Sequence, residues 1–228
     1  MIISHSHKFI FIKPWKTAGT SIEAALSQYC SNNDIVTPLN DYWFNRDESG
    51  DWVHKAMNEQ GFDQHDDAQT IKNRIPSEIW DNYLKFSMTR NPWDRALSLF
   101  SWKARRYSEL RAKKSFYHYW GIPYDELQKT KKLFNQYLKT DWPNNDRFYL
   151  IDGKLCVDHI IRYEHLVEDF EEICRILGLP SIKIPRLKAG IRGKKDHYSK
   201  YYNKESQALV AAKHRNDIEL FNYKFEKV

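Results

Sequence analysis

Read for apolar and polar positions, the chain alternates short apolar runs with longer amphipathic stretches. Phe9 to Ile12 is an apolar run closed by Lys13-Pro14. It reads as a buried strand that gives way to a loop, because proline cannot donate to a sheet ladder. Thr20 through Leu26 then predicts a helix start, with Thr20 or Ser21 as the cap and Glu23 in the first turn. Residues 31–64 are polar and irregular, a connection long enough to be expected as functional surface. Residues 68–83 predict a helix in two pieces broken at Pro76, and Leu84 to Thr89 a second strand. Pro92 opens a long helix that carries Ala96, Leu97, Leu99 and Phe100 on an apolar face. Leu155 to Arg162 is a third strand. Glu164 to Leu177 is an amphipathic helix stopped by Gly178 and Pro180, and Asn203 to Phe221 is a final helical region. No repeat interrupts this order. Strands separated by helices predict the α/β class: a single three-layer domain over residues 1–228 around a central parallel sheet.

Composition adds a partner class. The net charge of +6 predicts an anionic partner such as a nucleotide, an acidic sugar, a nucleic acid or a lipid headgroup, although the same charge also serves solubility. Aromatic residues reach 15%, which implies either a thick core or a surface that stacks flat ligands. The cysteines are Cys30, Cys156 and Cys174. None forms a CxxC pair, so zinc and redox motifs are excluded. Cys156 and Cys174 sit among apolar neighbours and read as buried thiols of a reducing compartment. The opening MIISHSHKFIFIK has too short an apolar run for a signal peptide or a membrane anchor. The expectation is a soluble, cytoplasmic protein without stable membrane insertion. Nothing in the sequence speaks to oligomeric state.

Two segments carry chemistry. The first is Pro14-Trp15-Lys16-Thr17-Ala18-Gly19-Thr20-Ser21, between a predicted strand and a predicted helix. Backbone N–H groups at such a junction face an anion, with Lys16 as a point charge, Thr17, Thr20 and Ser21 as hydroxyls, and Gly19 allowing close approach. The Lys-Thr pair is that of a Walker loop, but the preceding glycines are absent, which weakens a kinase reading. The second is Phe86 to Ser98, where a strand delivers Arg90 at its C-terminal end and Ser98 lies two turns into the following helix. An arginine there can grip a phosphate with parallel donors. Asp94 and Arg95 read as a structural ion pair.

FIFIKPWKTAGTSIE resembles the 5′-phosphosulfate-binding loop of sulfotransferases that use 3′-phosphoadenosine 5′-phosphosulfate (PAPS). It is most similar to the carbohydrate (heparan and chondroitin type) enzymes and their bacterial relatives. Trp15 stands where that group usually has proline. The spacing of Arg90 and Ser98 resembles the family's 3′-phosphate motif, and the resemblance continues through VDHIIRYEHLVEDFEEICRILGLP and the C-terminal segment. It implies a P-loop-like fold and in-line sulfuryl transfer from PAPS to an acceptor hydroxyl, expected on a carbohydrate. No metal is implied, since Lys16 and the loop supply the positive charge. Lys16, Thr17, Ala18, Gly19, Thr20, Ser21, Arg90, Ser98 and Arg192 are then the expected nucleotide contacts. Lys16 is also expected to act on the leaving group, and residues 31–62 and 101–145 to shape the acceptor site.

The acceptor proton calls for a base. His65 is the expected one, placed before a helix with Asp66 and Asp67 positioned to raise its pKa; His54 and Glu59 are the runners-up. His159, in an apolar run, reads as a core histidine. Two other readings remain open at this level. One is a magnesium-dependent kinase on the Lys16 loop. The other is a nucleic-acid module on Lys103, Arg105, Arg106, Arg111, Lys113 and Lys114; the resemblance implies no nucleic acid.

Overall fold

The computed structural model of the protein describes residues 1–38, 56–112, 127–185, 187 and 196–228. They gather into two compact units, Met1–Arg90 with Asn145–Lys188 and Asn91–Asn144 with Ala189–Val228.

The first unit is built on five strands: β1 (Ile2–Ser4), β2 (Phe9–Phe11), β3 (Ile35–Val36), β4 (Leu84–Thr89) and β7 (His159–Arg162), ordered β3-β1-β2-β4-β7. A hairpin of β5 (Leu150–Ile151) and β6 (Lys154–Leu155) stands apart from this sheet. β2, β4 and β7 pair in parallel, whereas β1 is antiparallel to both β2 and β3. β3 therefore runs the same way as β2, and only β1 opposes the rest. The sheet is mostly parallel rather than wholly so. Val36, Ile2, Phe11, Phe86 and then His159 follow one another in register on one face, and Met88 pairs with Ile161. That face meets Ile22, Ala25 and Leu26 of α1 (Gly19–Ser27) and Phe170, Ile173 and Cys174 of α6 (Leu166–Ile176) in one buried cluster. Phe11 stacks on Phe86 at 5.2 Å between ring centroids. Across the sheet, Lys85 reaches over Trp80 of α3 (Ser77–Asn82). The other helix here is α2 (Ala68–Arg74), capped by Asp67, whose carboxylate accepts from the Thr70 N–H at 2.8 Å.

β1 and β3 are the departures from expectation. The Ile2–Ser4 segment is short, and His5 to Lys8 separates it from the next apolar run, so no period announces it. Its burial comes from pairing on both edges. Residues 155–162 hold a hairpin strand and a sheet strand where one was expected.

The second unit is helical: α4 (Pro92–Ala112), α5 (Leu127–Tyr137), α7 (Lys204–Lys213) and α8 (Arg215–Phe221), with a 3-10 turn at Tyr198–Tyr201. Its core contains Trp93, Phe100, Phe134, Tyr137, Trp142 and Tyr198. Trp93, Tyr198 and Tyr202 each meet Phe225 edge to face at 5.4–5.6 Å. Much of the aromatic content is therefore core. Arg95 is 1% exposed and turns inward, donating from Nη2 to the Pro143 carbonyl at 3.0 Å and to His214 Nε2 at 3.1 Å. His214 Nε2 is thus the acceptor, and its Nδ1–H donates to Asp217 at 3.0 Å. Burial holds the His214 pKa below its ordinary value, so this chain is structural and carries a neutral imidazole.

Candidate active site

The parallel register fixes where the candidate residues emerge. β2, β4 and β7 end at one edge of the sheet. From their C-terminal ends leave, in turn, the loop of residues 13–18, Arg90, and Tyr163 at the start of a 3-10 turn. Thr89 pairs with Arg162, so Arg90 and Tyr163 are the next residues along adjacent strands. The Arg90 guanidinium lies 3.8 Å from the Tyr163 ring centroid and is only 8% exposed. Ligands of open α/β sheets occupy this edge.

The loop is held by its carbonyls. Lys13 O accepts from His65 Nδ1 at 2.9 Å, and Pro14 O from the Thr17 hydroxyl at 3.4 Å. Trp15 O accepts from Asn145 Nδ2 at 2.9 Å, and Lys16 O from Arg90 Nη1 at 3.0 Å. Lys16 and Ala18 take left-handed backbone, φ 64° and 70°. Each costs about 1 kcal/mol or more for a residue with a Cβ, a cost tolerated where surrounding contacts fix the turn. Left-handed residues in such a turn gather successive N–H groups into an anion-binding concavity. α1 begins directly after, and its first N–H groups have no acceptor inside the helix.

Several expectations change in detail. Neither Thr20 nor Ser21 caps α1. Ala18 holds the cap position, with its carbonyl accepting from Ser21 N–H at 2.9 Å. Glu23 is not a solvated first-turn acid. It is fully buried and pairs with Lys13 Nζ and, at 2.7 Å, with the α-amino group of Met1. Burial pushes its pKa up, but the two cations and their hydrogen bonds outweigh this and hold it at about 2. A Cβ at Gly19 would meet the Lys13 Cγ at 2.5 Å, so the glycine makes room for the lysine stem beneath the helix start. Lys16, Ala18 and Thr20 are half-buried; Thr17 and Ser21 are buried.

His65 packs against the same loop. Its ring centroid is 5.5 Å from Trp15 and 6.5 Å from Phe148. Because a carbonyl only accepts, the bond to Lys13 O puts the proton on Nδ1 and leaves Nε2 as the basic nitrogen. Burial first, then the Lys13 charge, lower its pKa to about 3, against the opposing pull of the hydrogen bond to Lys13 O. The expectation that Asp66 and Asp67 raise it is overturned. Asp67 caps α2 and Asp66 faces Arg74 at 3.3 Å. Arg147 stacks on the Trp15 ring at 4.6 Å from its centroid.

Ser98 is half-buried on α4, Glu59 lies on an exposed turn, and His159 is half-buried on β7. Arg192 and His54 lie outside the described residues, as do Lys113 and Lys114. Cys174 is buried, whereas Cys156 and Cys30 are half-buried, and burial raises the thiol pKa of all three. Among the described residues no group of three or more His, Cys, Asp or Glu could hold a metal, and no helix is long and apolar enough to cross a membrane. Lys13, Asn145, Tyr163 and Arg147 were not singled out from the sequence as parts of this site. Only Lys13 carries a local signal, a lysine ending an apolar strand.

A model of the Sulfotransferase family matches residues 1–224. An uncharacterized protein of Archaeoglobus fulgidus is 27% identical over 113 residues, half of this chain and 82% of its own length. The crystal structure of a sulfotransferase from Alicyclobacillus acidocaldarius aligns over 94% of this chain and 96% of its own, at 15% identity and a TM-score of 0.40. With a family model spanning nearly its full length, the chain belongs to the sulfotransferase family.

Proposed function

We propose that the protein transfers a sulfuryl group from PAPS to a hydroxyl of a carbohydrate acceptor, with the Lys16 loop as a P-loop-like cradle and His65 as the base. The observation that carries this reading is the clamped loop. Lys16 stands in a left-handed turn at the edge of a mostly parallel sheet and is followed at once by a helix N-terminus, while His65 is bonded to the carbonyl of Lys13 at the head of the same loop. When bound, PAPS supplies the sulfuryl group and a good leaving group, adenosine 3′,5′-bisphosphate.

The donor set fits such a ligand. Lys16 and the amides at the start of α1 suit a 5′-phosphosulfate, and the Arg90 guanidinium, held over the Tyr163 ring, suits a 3′-phosphate. Lys16 stabilises negative charge on the bridging oxygen as the sulfur–oxygen bond breaks. His65 Nε2 takes the hydroxyl proton as the new sulfur–oxygen bond forms. In the unliganded chain His65 is a weak base. It gains basicity when negative charge enters the loop beside it, because an adjacent anion favours the protonated imidazole.

The test is a transfer assay with labelled PAPS and a panel of sugar, lipid and phenol acceptors in the presence of EDTA, using wild type and Lys16→Ala. Metal-independent labelling of a carbohydrate, lost in Lys16→Ala while bisphosphate binding is only weakened, is the expected result. Labelling confined to phenols or lipids rejects the acceptor class. A strict magnesium requirement with nucleoside triphosphate as donor rejects the reaction.

A further inference from the structure

In a planar trans peptide the C=O and N–H point in opposite directions, so a donor that fixes a carbonyl also aims the next residue's N–H. At the Lys16 loop this happens on two successive peptides. Asn145 Nδ2 holds Trp15 O, which turns the Lys16 N–H away from Asn145. Arg90 Nη1 holds Lys16 O, which turns the Thr17 N–H away from Arg90. Asn145 is 2% exposed, too buried to be a ligand-facing side chain. It is fixed in turn by its backbone, whose carbonyl accepts the Phe148 N–H at 3.0 Å in the 3-10 turn Asp146–Phe148. Phe148 meets the Trp15 ring edge to face at 4.9 Å, so the same turn supports the loop from its side chains as well.

We propose that Asn145 is a positioning residue of the nucleotide site: by clamping the Trp15 carbonyl it holds the Trp15–Lys16 peptide, and with it the left-handed Lys16, in the orientation that presents the loop amides to a 5′-phosphate. This rests on the nucleotide-binding role proposed above for the loop. Asn145 supplies orientation and no charge, so its effect is confined to ligands that carry a phosphate at the 5′ position. A residue that merely stabilises the fold lacks that selectivity.

The experiment is calorimetry of the full chain with adenosine 5′-phosphate and, separately, adenosine 3′-phosphate, for wild type, Asn145→Ala and Asn145→Asp. Loss of the clamp is expected to weaken the 5′-phosphate nucleotide about tenfold, the worth of one hydrogen bond at the upper end of its usual range. Binding of the 3′-phosphate nucleotide is expected to stay within about twofold, inside the scatter of a surface change. Aspartate, isosteric with asparagine but bringing a carboxylate oxygen against the carbonyl, is expected to lose at least as much as alanine. It carries the test if alanine costs the fold. Equal losses for both nucleotides, or no loss for either, overturn the positioning role. A wild-type chain that binds neither nucleotide instead rejects the function proposed for the loop and removes the basis of the inference.

Discussion

Gly19→Ala separates two reasons for a glycine at the head of α1. If the residue only gives a ligand room, alanine leaves the free protein unchanged and weakens nucleotide binding. The structure argues otherwise. The added Cβ would stand 2.5 Å from Lys13 Cγ and 3.2 Å from Lys13 Cδ, where ordinary carbon contacts begin near 3.5 Å. The lysine has little freedom to withdraw. Its Nζ is held by Glu23 and, at 3.0 Å, by Gln64 Oε1, while its carbonyl accepts from His65. Relief must come from shifting the head of α1 or the buried ion pair, and overpacking of this kind costs about 1–3 kcal/mol. For a chain of this length each kcal/mol lowers the melting temperature by about 2–4 °C, so a drop of roughly 2–12 °C is expected without ligand. The assay is thermal unfolding of the apo protein, followed by bisphosphate titration. An unchanged melting temperature with weakened nucleotide binding would refute the reasoning and restore the ligand-approach role.

Two further outcomes follow from the same contacts. Arg90→Ala is expected to weaken both adenosine 3′,5′-bisphosphate and adenosine 5′-phosphate, because Arg90 also braces the Lys16 carbonyl. The bisphosphate should lose more, by about 1.5–3 kcal/mol for a charge-assisted contact; an undiminished affinity for the 5′-phosphate alone would show that the brace is idle. His65→Ala is expected to slow transfer by about 10²–10⁴-fold. Because burial keeps the His65 pKa of the unliganded chain at about 3, below the ordinary 6.5, its imidazole stays neutral as pH falls through 5, and the wild-type kcat/KM for PAPS, which follows the free enzyme, should show no His65 limb near 6.5. The linked stability is full above about 6.5 and declines toward about 3, since only the unfolded chain takes up the proton in that window. A limb near 6.5 in wild type that disappears in His65→Ala contradicts the buried, carbonyl-bonded imidazole.

Local sequence determined the elements whose signal is contained in a short window. Leu84–Thr89 is a strand because apolar Leu84, Phe86 and Met88 alternate with Lys85, Ser87 and Thr89. Pro92 opens α4 because its fixed φ suits a first helical turn, and Gly178 follows the end of α6 with φ 66°. The strand–Lys16–helix junction was legible for the same reason, since backbone geometry at such a junction depends on residues adjacent in the chain. Family membership was legible too, because its motifs are contiguous.

Only the tertiary structure decided the rest. β1 is a strand through its ladders with β2, across a short turn, and with the distant β3, pairings that a three-residue segment cannot advertise. Gly19 is required by Lys13, whose stem crosses under α1 only once β2 and α1 are packed. His65 lies next to two aspartates in sequence, which suggested a raised pKa. In space those carboxylates serve Arg74 and the cap of α2, while burial and Lys13 set the opposite sign. Asn145, placed by sequence in an acceptor-shaping insertion, reaches a carbonyl 130 residues away. Electrostatics and hydrogen bonding act through distance in space. A linear reading supplies distance along the chain, and the two coincide within helices, turns and motifs and diverge where the chain returns to itself.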